Sequence, residues 1–157
     1  MKKLLQALGT GAFWAVFPAL AVYLSRGPRT RVVIRAGNKI VVVKGWLGNG
    51  KWVLPGGGLQ KGEPPLQGLL REVREETGLK LDQAEVRPLL KAPYHYHGIH
   101  YLCHYFVIDL PLELPLFAEL FEISELKWEN VSKLTDRTAN GDVLTALKRL
   151  QVHKKHA

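Results

Sequence analysis

The strongest constraint on this chain is a run of glycines that is followed directly by an acidic helical segment. Pro55-Gly56-Gly57-Gly58 cannot form regular structure, and three glycines let the backbone reach positive φ and approach a ligand closely. Pro64–Thr77 then predicts a helix, because prolines are tolerated in a first turn and Gly78 is a typical residue after a helix end. The sequence therefore predicts a tight loop followed by a helix that ends at Gly78.

The predicted helix carries an apolar arc and a separate acidic face. The residues that share the arc and can face a core are Leu66, Leu69, Leu70, Val73 and Thr77. Glu72, Glu75 and Glu76 stand at i, i+3 and i+4, so their carboxylates share another face and repel one another. Arg71 and Arg74 can offset part of this repulsion, and a divalent cation such as Mg²⁺ or Mn²⁺ would offset more. A solvated face of ion pairs is the alternative that these residues alone leave open.

Glu63, at the end of the glycine loop, has two possible roles in the sequence. Its carboxylate could return to the acidic cluster as a metal ligand, or it could cap the helix that follows. The loop itself is not a P-loop, because no Gly-Lys-Ser/Thr follows, and it lacks the spacing of a dinucleotide-binding fingerprint.

The whole segment has the spacing of a known motif. Gly57-x5-Glu63-x7-Arg71-Glu72-Val73-x-Glu75-Glu76-x-Gly78-Leu79 resembles the Nudix box, and every defined position of that 23-residue motif is matched. A looser resemblance runs from about Arg31 to Val152. The chain is therefore identified by resemblance as a member of the Nudix hydrolase family.

The resemblance implies a fold, a reaction and a set of site residues. The fold is an α/β/α sandwich with a mixed sheet, and the reaction is hydrolysis of a nucleoside diphosphate linked to another group, X. Glu72 and Glu76 correspond to the residues that bind Mg²⁺, with Glu75 close by. The carbonyl of Gly56 is expected as a further metal ligand, and Arg71 is expected to orient a carboxylate of the box.

The general base is left open. A glutamate of the box, Glu72 or Glu75, could take the proton of the attacking water, and so could a glutamate of a later loop. The later candidates are Glu119, Glu122 and Glu125, and Glu122 is favoured among them.

Residues outside the box are expected to select the substrate. Pro93 lies about where the ADP-ribose subgroup has a proline, whereas Tyr96 lies about where the diadenosine polyphosphate subgroup has a tyrosine, so the two indications conflict. Tyr94 and Tyr96 could stack on a base, although packing within a strand is an equal alternative. The residues predicted to bind substrate are Trp46, Gly57, Gly58, Tyr94 and Tyr96.

Short β-branched and aromatic stretches surround the box and predict an α/β domain. A hairpin is predicted from two of them, with a turn at Gly37-Asn38. The predicted strands are Thr30–Ala36, Lys39–Lys44, Glu85–Leu90, Tyr101–Leu110 and Ile123–Trp128. A closing helix is predicted over Thr138–Val152.

Composition fits one such domain. The chain has 157 residues, of which 46% are hydrophobic, so one core can be buried and a second domain has little room. Cys103 is the single cysteine, which excludes an internal disulfide, and its apolar neighbours predict a buried packing role. The formal net charge of +8 suits phosphate-rich partners.

The N-terminal region, residues 1–29, is predicted to be an apolar helix with a basic linker, and residues 30–157 form the predicted catalytic domain. Residues 4–24 have no charged side chain and would span about 31 Å as a helix. A membrane anchor, a helix packed on protein and a secretory signal are three interpretations of this segment. We expect a cytoplasmic protein, which the anchor would hold at the inner face of a membrane; retention in the soluble fraction without detergent would exclude the anchor.

Other classes of function are also considered. A non-catalytic Nudix-fold module that binds nucleotides at a membrane is the main alternative, and the intact acidic set argues against it. Nucleic-acid binding through the basic termini has no recognised module to support it. A nucleotide-type small molecule is the expected partner, and a homodimer is compatible with the sequence.

Overall fold

The fold is a five-stranded sheet with one helix on each face. The computed structural model describes residues 27–46, 49–96, 99–118 and 123–154. In chain order the elements are β1 (Arg29–Ala36), β2 (Lys39–Gly45), α1 (Pro65–Thr77), β3 (Arg87–Tyr96), β4 (Ile99–Asp109), β5 (Ile123–Asn130) and α2 (Gly141–Lys154). A 3-10 turn, Val131–Lys133, separates β5 from the segment that leads to α2.

The strand order β3-β4-β1-β2-β5 makes the sheet mixed. β1 and β4 run parallel, with Arg29 opposite Cys103, and the other neighbouring pairs are antiparallel. The predicted hairpin at Gly37-Asn38 is confirmed, because Ala36 pairs with Lys39. The parallel pair places the start of β1 in the middle of the sheet, beside residues that lie far along the chain.

Alternation along the central strands divides the core into two layers. On β1, Val32 and Ile34 pack with Leu69 and Val73 of α1, whereas Val33 faces the opposite way and packs with α2. Each side of a strand receives every second residue, so a run of apolar residues supplies both layers at once. The predicted α/β/α sandwich is therefore confirmed.

The predicted helix at the box is found almost as expected. α1 begins at Pro65 rather than Pro64, and Gly78 follows it at φ 71°, where its N–H donates to the Arg74 carbonyl. Leu69, Val73 and Thr77 are buried, in agreement with the predicted arc. The hydroxyl of Thr77 donates to the Val73 carbonyl at 2.6 Å, so this polar side chain is satisfied within the core.

The two strands that follow α1 differ from their predicted bounds. β3 begins later than Glu85 and continues to Tyr96, so Tyr94 and His95 lie in a strand. Cys103, opposite Ala92 on β4, is fully buried as predicted, and burial raises the pKa of its thiol to about 11. A protonated, buried thiol is consistent with the predicted packing role.

The apolar segment 4–24 lies outside the described residues. Within the ranges that the structure does describe, no helix is both long and apolar enough to cross a membrane.

Candidate active site

Arg71 on α1 joins the loop, Glu63 and the acidic helix face. Its Nη1 donates to Glu72 Oε1 at 2.8 Å and to Glu75 Oε2 at 3.3 Å. Its Nη2 also donates to the Gly58 carbonyl at 3.2 Å. One guanidinium therefore offsets part of the repulsion that the spacing of the carboxylates predicts, and it fixes their positions relative to the glycine loop.

Glu63 does not cap the helix that follows it, and its role as a metal ligand stays a prediction. Its two carboxylate oxygens accept from Nε and Nη2 of Arg71 at 3.0 and 3.1 Å, and one also accepts the Gln60 N–H at 2.8 Å. The hydrogen bond from Arg71, followed by the one from Gln60, holds the pKa of Glu63 below its usual range. Glu63 therefore supports Arg71 from the loop side, and Pro64 precedes the helix without a side-chain cap.

Glu76 reaches from α1 to the glycine loop. Its Oε2 accepts the N–H of Gly56 at 2.8 Å across 20 positions of sequence. Gly56 has φ 126°, and a Cβ there would strike the Thr30 backbone, so only glycine fits. The loop is held between β1 and α1 at this point, and the Gly56 carbonyl remains a proposed metal ligand.

Glu72 lies against the next residue of the loop. A Cβ added at Gly57 would overlap the Glu72 carboxylate, so the missing side chain is what lets this carboxylate approach the backbone. Glu72 is only 16% exposed. Glu72 and Glu76 thus meet two consecutive residues, Gly57 and Gly56, and border one short stretch of backbone.

The chemistry of this donor set fits a hard divalent cation. Two helix carboxylates and a glycine backbone with no side chain in the way are oxygen donors of the kind that Mg²⁺ and Mn²⁺ take. Within the described part of the chain, no three His, Cys, Asp or Glu side chains already converge on a single point. Because Arg71 contacts Glu72 and Glu75, bound metal would share these carboxylates with the guanidinium.

The later glutamates are only partly described. Glu119 and Glu122, including the favoured base, lie outside the described residues. Glu125 lies on β5, where its side chain is 41% exposed and accepts from Lys44 Nζ at 3.4 Å.

Of the predicted substrate residues, Tyr94 is placed most clearly. Its ring stacks on Tyr101 across the β3–β4 hairpin, with centroids 4.8 Å apart and planes 19° from parallel. A Cβ at Gly141 would come within 4.0 Å of the Tyr94 ring, so the tyrosine lies beside the start of α2. The backbone of Tyr96 pairs with Ile99, and Trp46 is half-buried just after β2.

Sequence reasoning assigned no site role to two arginines on β1, Arg29 and Arg31. Arg31 forms a buried ion pair with Asp142 of α2, with Nε 3.3 Å from Oδ2. Burial raises the pKa of Asp142 while the charge of Arg31 opposes that rise. The two arginines alternate with Thr30, so they share one face of the strand, and this i, i+2 spacing is the sequence signal that could have identified them.

A depression of about 560 Å³ borders the outer side of α1. It touches the acidic site through Arg71 and Glu75, and its lining includes the further cations Arg74 and Lys80 but neither Glu72 nor Glu76.

A known protein family and two curated proteins resemble this chain in sequence. The profile of the NUDIX domain family matches residues 25–147. A MutT-like protein of Streptomyces ambofaciens is 38% identical over 60 residues, which are 38% of this chain and 38% of that protein. The chain spans less than two fifths of the length of the curated relatives it matches.

Two solved structures have a similar fold. The E. coli dihydroneopterin triphosphate pyrophosphohydrolase superposes with a TM-score of 0.69 at 17% identity, covering 82% of this chain and 97% of that one. A bifunctional NMN adenylyltransferase/ADP ribose pyrophosphatase from Francisella tularensis, complexed with AMP and a Mn ion, gives 0.66 at 18% identity, covering 85% and 46%. At these identities the similarity establishes the fold alone.

Proposed function

We propose that this chain, which belongs to the NUDIX domain family, hydrolyses a diphosphate linkage in a nucleoside diphosphate linked to X, with Mg²⁺ as cofactor. The observation that carries the proposal is the placement of Glu72 and Glu76 against Gly57 and Gly56, with Arg71 anchored to Glu72 and to the loop. This arrangement offers carboxylates to a cation and backbone to a phosphate at the same place.

Each box residue has a definite part in the proposed reaction. Glu72, Glu75 and Glu76 would hold the metal, with the Gly56 carbonyl as a further ligand. Bound Mg²⁺ neutralises phosphate charge and lowers the pKa of water. Arg71 orients Glu72, because a guanidinium that also binds Glu63 and Gly58 cannot follow a moving carboxylate. Mn²⁺ has the same ligand preferences and is expected to replace Mg²⁺.

A glutamate is the proposed general base, and Glu122 remains the favoured one with Glu75 as the candidate within the box. Glu75 is 38% exposed and has the longest of the carboxylate contacts that Arg71 makes, at 3.3 Å, so it is more open to a water molecule than Glu63 or Glu72. Glu125 is less suitable, since Lys44 already neutralises it.

A nucleotide-type substrate is supported by the surroundings of the box. The Tyr94–Tyr101 stack lies beside the start of α2, and an aromatic pair of this kind suits a base or another flat ring. Trp46, Gly57, Gly58 and Tyr96 complete the proposed binding set. The similar structures act, by their names, on a triphosphate and on ADP ribose; nucleoside triphosphates, ADP-sugars and dinucleoside polyphosphates are therefore the compounds to test.

The non-catalytic alternative gains no support from the geometry. A module that only binds nucleotide would not need three carboxylates on one helix face, held in place by an arginine at the cost of their repulsion. Residues 4–24 and the proposed cytoplasmic location, at a membrane or away from one, are independent of this conclusion.

A substrate panel tests the proposal directly. Purified full-length protein is assayed with Mg²⁺ on the three compound classes, together with Glu76→Gln and, as a matched control, Glu85→Gln on an exposed turn. We expect turnover by the wild-type and control proteins, and a loss of at least about 100-fold in Glu76→Gln, because a metal ligand and the acceptor of the Gly56 N–H are both weakened. No turnover on any compound, with Mg²⁺ affinity unchanged in Glu76→Gln, would refute the enzyme.

A further inference from the structure

Arg29, the first residue of β1, lies next to the glycine loop. Its backbone forms an antiparallel bridge with Gly58, and the neighbouring Thr30 N–H donates to the Gly57 carbonyl at 2.9 Å. Gly57 is the residue that the Glu72 carboxylate contacts. Arg29 and Glu72 therefore border adjacent loop residues, Gly58 and Gly57, one from the sheet and one from α1.

The Arg29 side chain is directed toward the aromatic pair. Its guanidinium carbon lies 5.3 Å from the centroid of the Tyr101 ring, which in turn stacks on Tyr94. The guanidinium thus connects the glycine loop to the rings proposed to hold a base. A nucleotide that reached from Tyr94 to the carboxylates would pass its phosphates beside Arg29.

The ion pairs among the described residues do not include Arg29, although the charge of Glu72 acts on its guanidinium. Burial, followed by the charge of Arg31, lowers the pKa of Arg29, and the charges of Tyr101 and Glu72 oppose this shift. Arg31, whose side chain is 11% exposed, has a buried Nη1 atom that donates no hydrogen bond within the described structure, whereas its Nε forms the ion pair with Asp142. Two arginines on one face of a strand, with donors left over, form a site that favours an anion.

We propose that Arg29 binds a phosphate group of the substrate, with Arg31 behind it as a positioning residue, and so completes from the sheet side the site that the carboxylates form from α1. The ligand class is a diphosphate oxyanion. The proposal that the bound anion is part of the substrate rests on the proposed function. The proposal that Arg29 binds a diphosphate oxyanion does not.

Inorganic pyrophosphate is the probe, titrated by calorimetry into full-length protein in EDTA so that no metal contributes. We expect Arg29→Gln to weaken pyrophosphate binding by about tenfold or more, because a charge-assisted hydrogen bond is removed. Arg87→Gln is the matched control, since Arg87 is 63% exposed and paired with Asp109 on another part of the sheet. Equal affinity in Arg29→Gln and wild type would overturn the proposal.

Two further measurements keep the proposal testable if the variant folds poorly. In wild-type protein, pyrophosphate should protect Arg29 from modification by phenylglyoxal, as read from the mass of its peptide; equal modification with and without pyrophosphate contradicts the subsite. With a hydrolysed substrate, Arg29→Lys should raise KM more than it lowers kcat. Because the binding and protection experiments need no turnover, failure of the subsite and failure of the proposed hydrolysis are distinguishable.

Discussion

At the scale of single residues, the glycines of the loop are as informative as the carboxylates. Gly57 leaves room for Glu72, and Gly56 can be approached by Thr30 on one side and Glu76 on the other. The motif spacing predicts which glutamates share a face, but it does not show that two of them meet consecutive loop residues. That contact depends on how β1 holds the loop.

Gly57→Ala tests the approach of Glu72. The new Cβ would displace a flexible carboxylate rather than backbone, so we expect the fold to persist while Mg²⁺ affinity and turnover fall by about 10- to 100-fold. Gly58→Ala is the matched control for stability and metal affinity, because nothing lies within 4 Å of its added Cβ. Equal Mg²⁺ affinity in the two variants, measured by titration, would contradict the role of Gly57.

Arg29 and Arg31 show what residue patterns could not reveal. Their alternation places them on one face of a strand, but their neighbours Tyr101 and Asp142 follow only from the parallel pairing of β1 with β4 and from the position of α2. Contacts over such sequence separations are set by topology, which local periodicity does not encode.

At the scale of elements, α1 was predicted to within one residue because its stop signal is local. Gly78 adopts φ 71°, and a Cβ there would come within 2.9 Å of the Phe117 carbonyl oxygen. The glycine therefore serves both the helix end and the packing of the later loop.

Gly78→Ala should accordingly cost more than the strain of a left-handed residue alone. We expect the free energy of unfolding to fall by about 2 kcal/mol or more in urea titrations. Gly37→Ala is the control, since Gly37 has φ 58° with nothing within 4 Å of an added Cβ, and it should lose only about 1 kcal/mol. Equal losses would show that the contact with Phe117 has no energetic weight.

β5 provides a pH-dependent test away from the acidic site. The Glu129 carboxylate accepts from Lys127 at 2.5 Å and from the Asn130 N–H at 3.0 Å, and the Lys127 hydrogen bond is the main reason that its pKa is lowered. A depressed pKa in the folded state stabilises the protein above the unfolded value of 4.5, and this contribution is lost as pH falls through the folded pKa.

Glu129→Gln should therefore lower the free energy of unfolding at pH 7 by a few tenths to about 1 kcal/mol. The difference from wild type should shrink as pH falls below about 4.5. Urea titrations across this range, with Glu85→Gln as control, measure it; a difference that is independent of pH would exclude the carboxylate as its source.

The strand boundaries of β3 show the limit of prediction at this scale. Pro88 and Pro93 argue against a long strand, because proline cannot donate to a ladder. β3 nevertheless extends from Arg87 to Tyr96, since it is an edge strand and each proline can direct its missing donor away from β4. Whether a strand lies at an edge is a property of the finished sheet.

At the scale of the whole molecule, the class of fold followed from the sequence but its topology did not. Strands before and after an acidic helix predict layered α/β structure, and the hairpins are local. The order β3-β4-β1-β2-β5 inserts β1 between two strands that come from different parts of the chain. Because of this position, the Arg29 backbone pairs with the glycine loop while its guanidinium lies near the Tyr101 ring.

The central claim is that water attacks a diphosphate at the carboxylates of α1. Hydrolysis across a P–O–P linkage transfers one oxygen atom from water to one of the two phosphate products. The most direct measurement is therefore turnover of the best compound of the panel in ¹⁸O-labelled water, with both products weighed by mass spectrometry. We predict one ¹⁸O atom in one phosphate-containing product and none in the other, and product formation at least about 100-fold slower with Glu76→Gln. Products without the label, or labelled products formed equally by Glu76→Gln, would contradict the account.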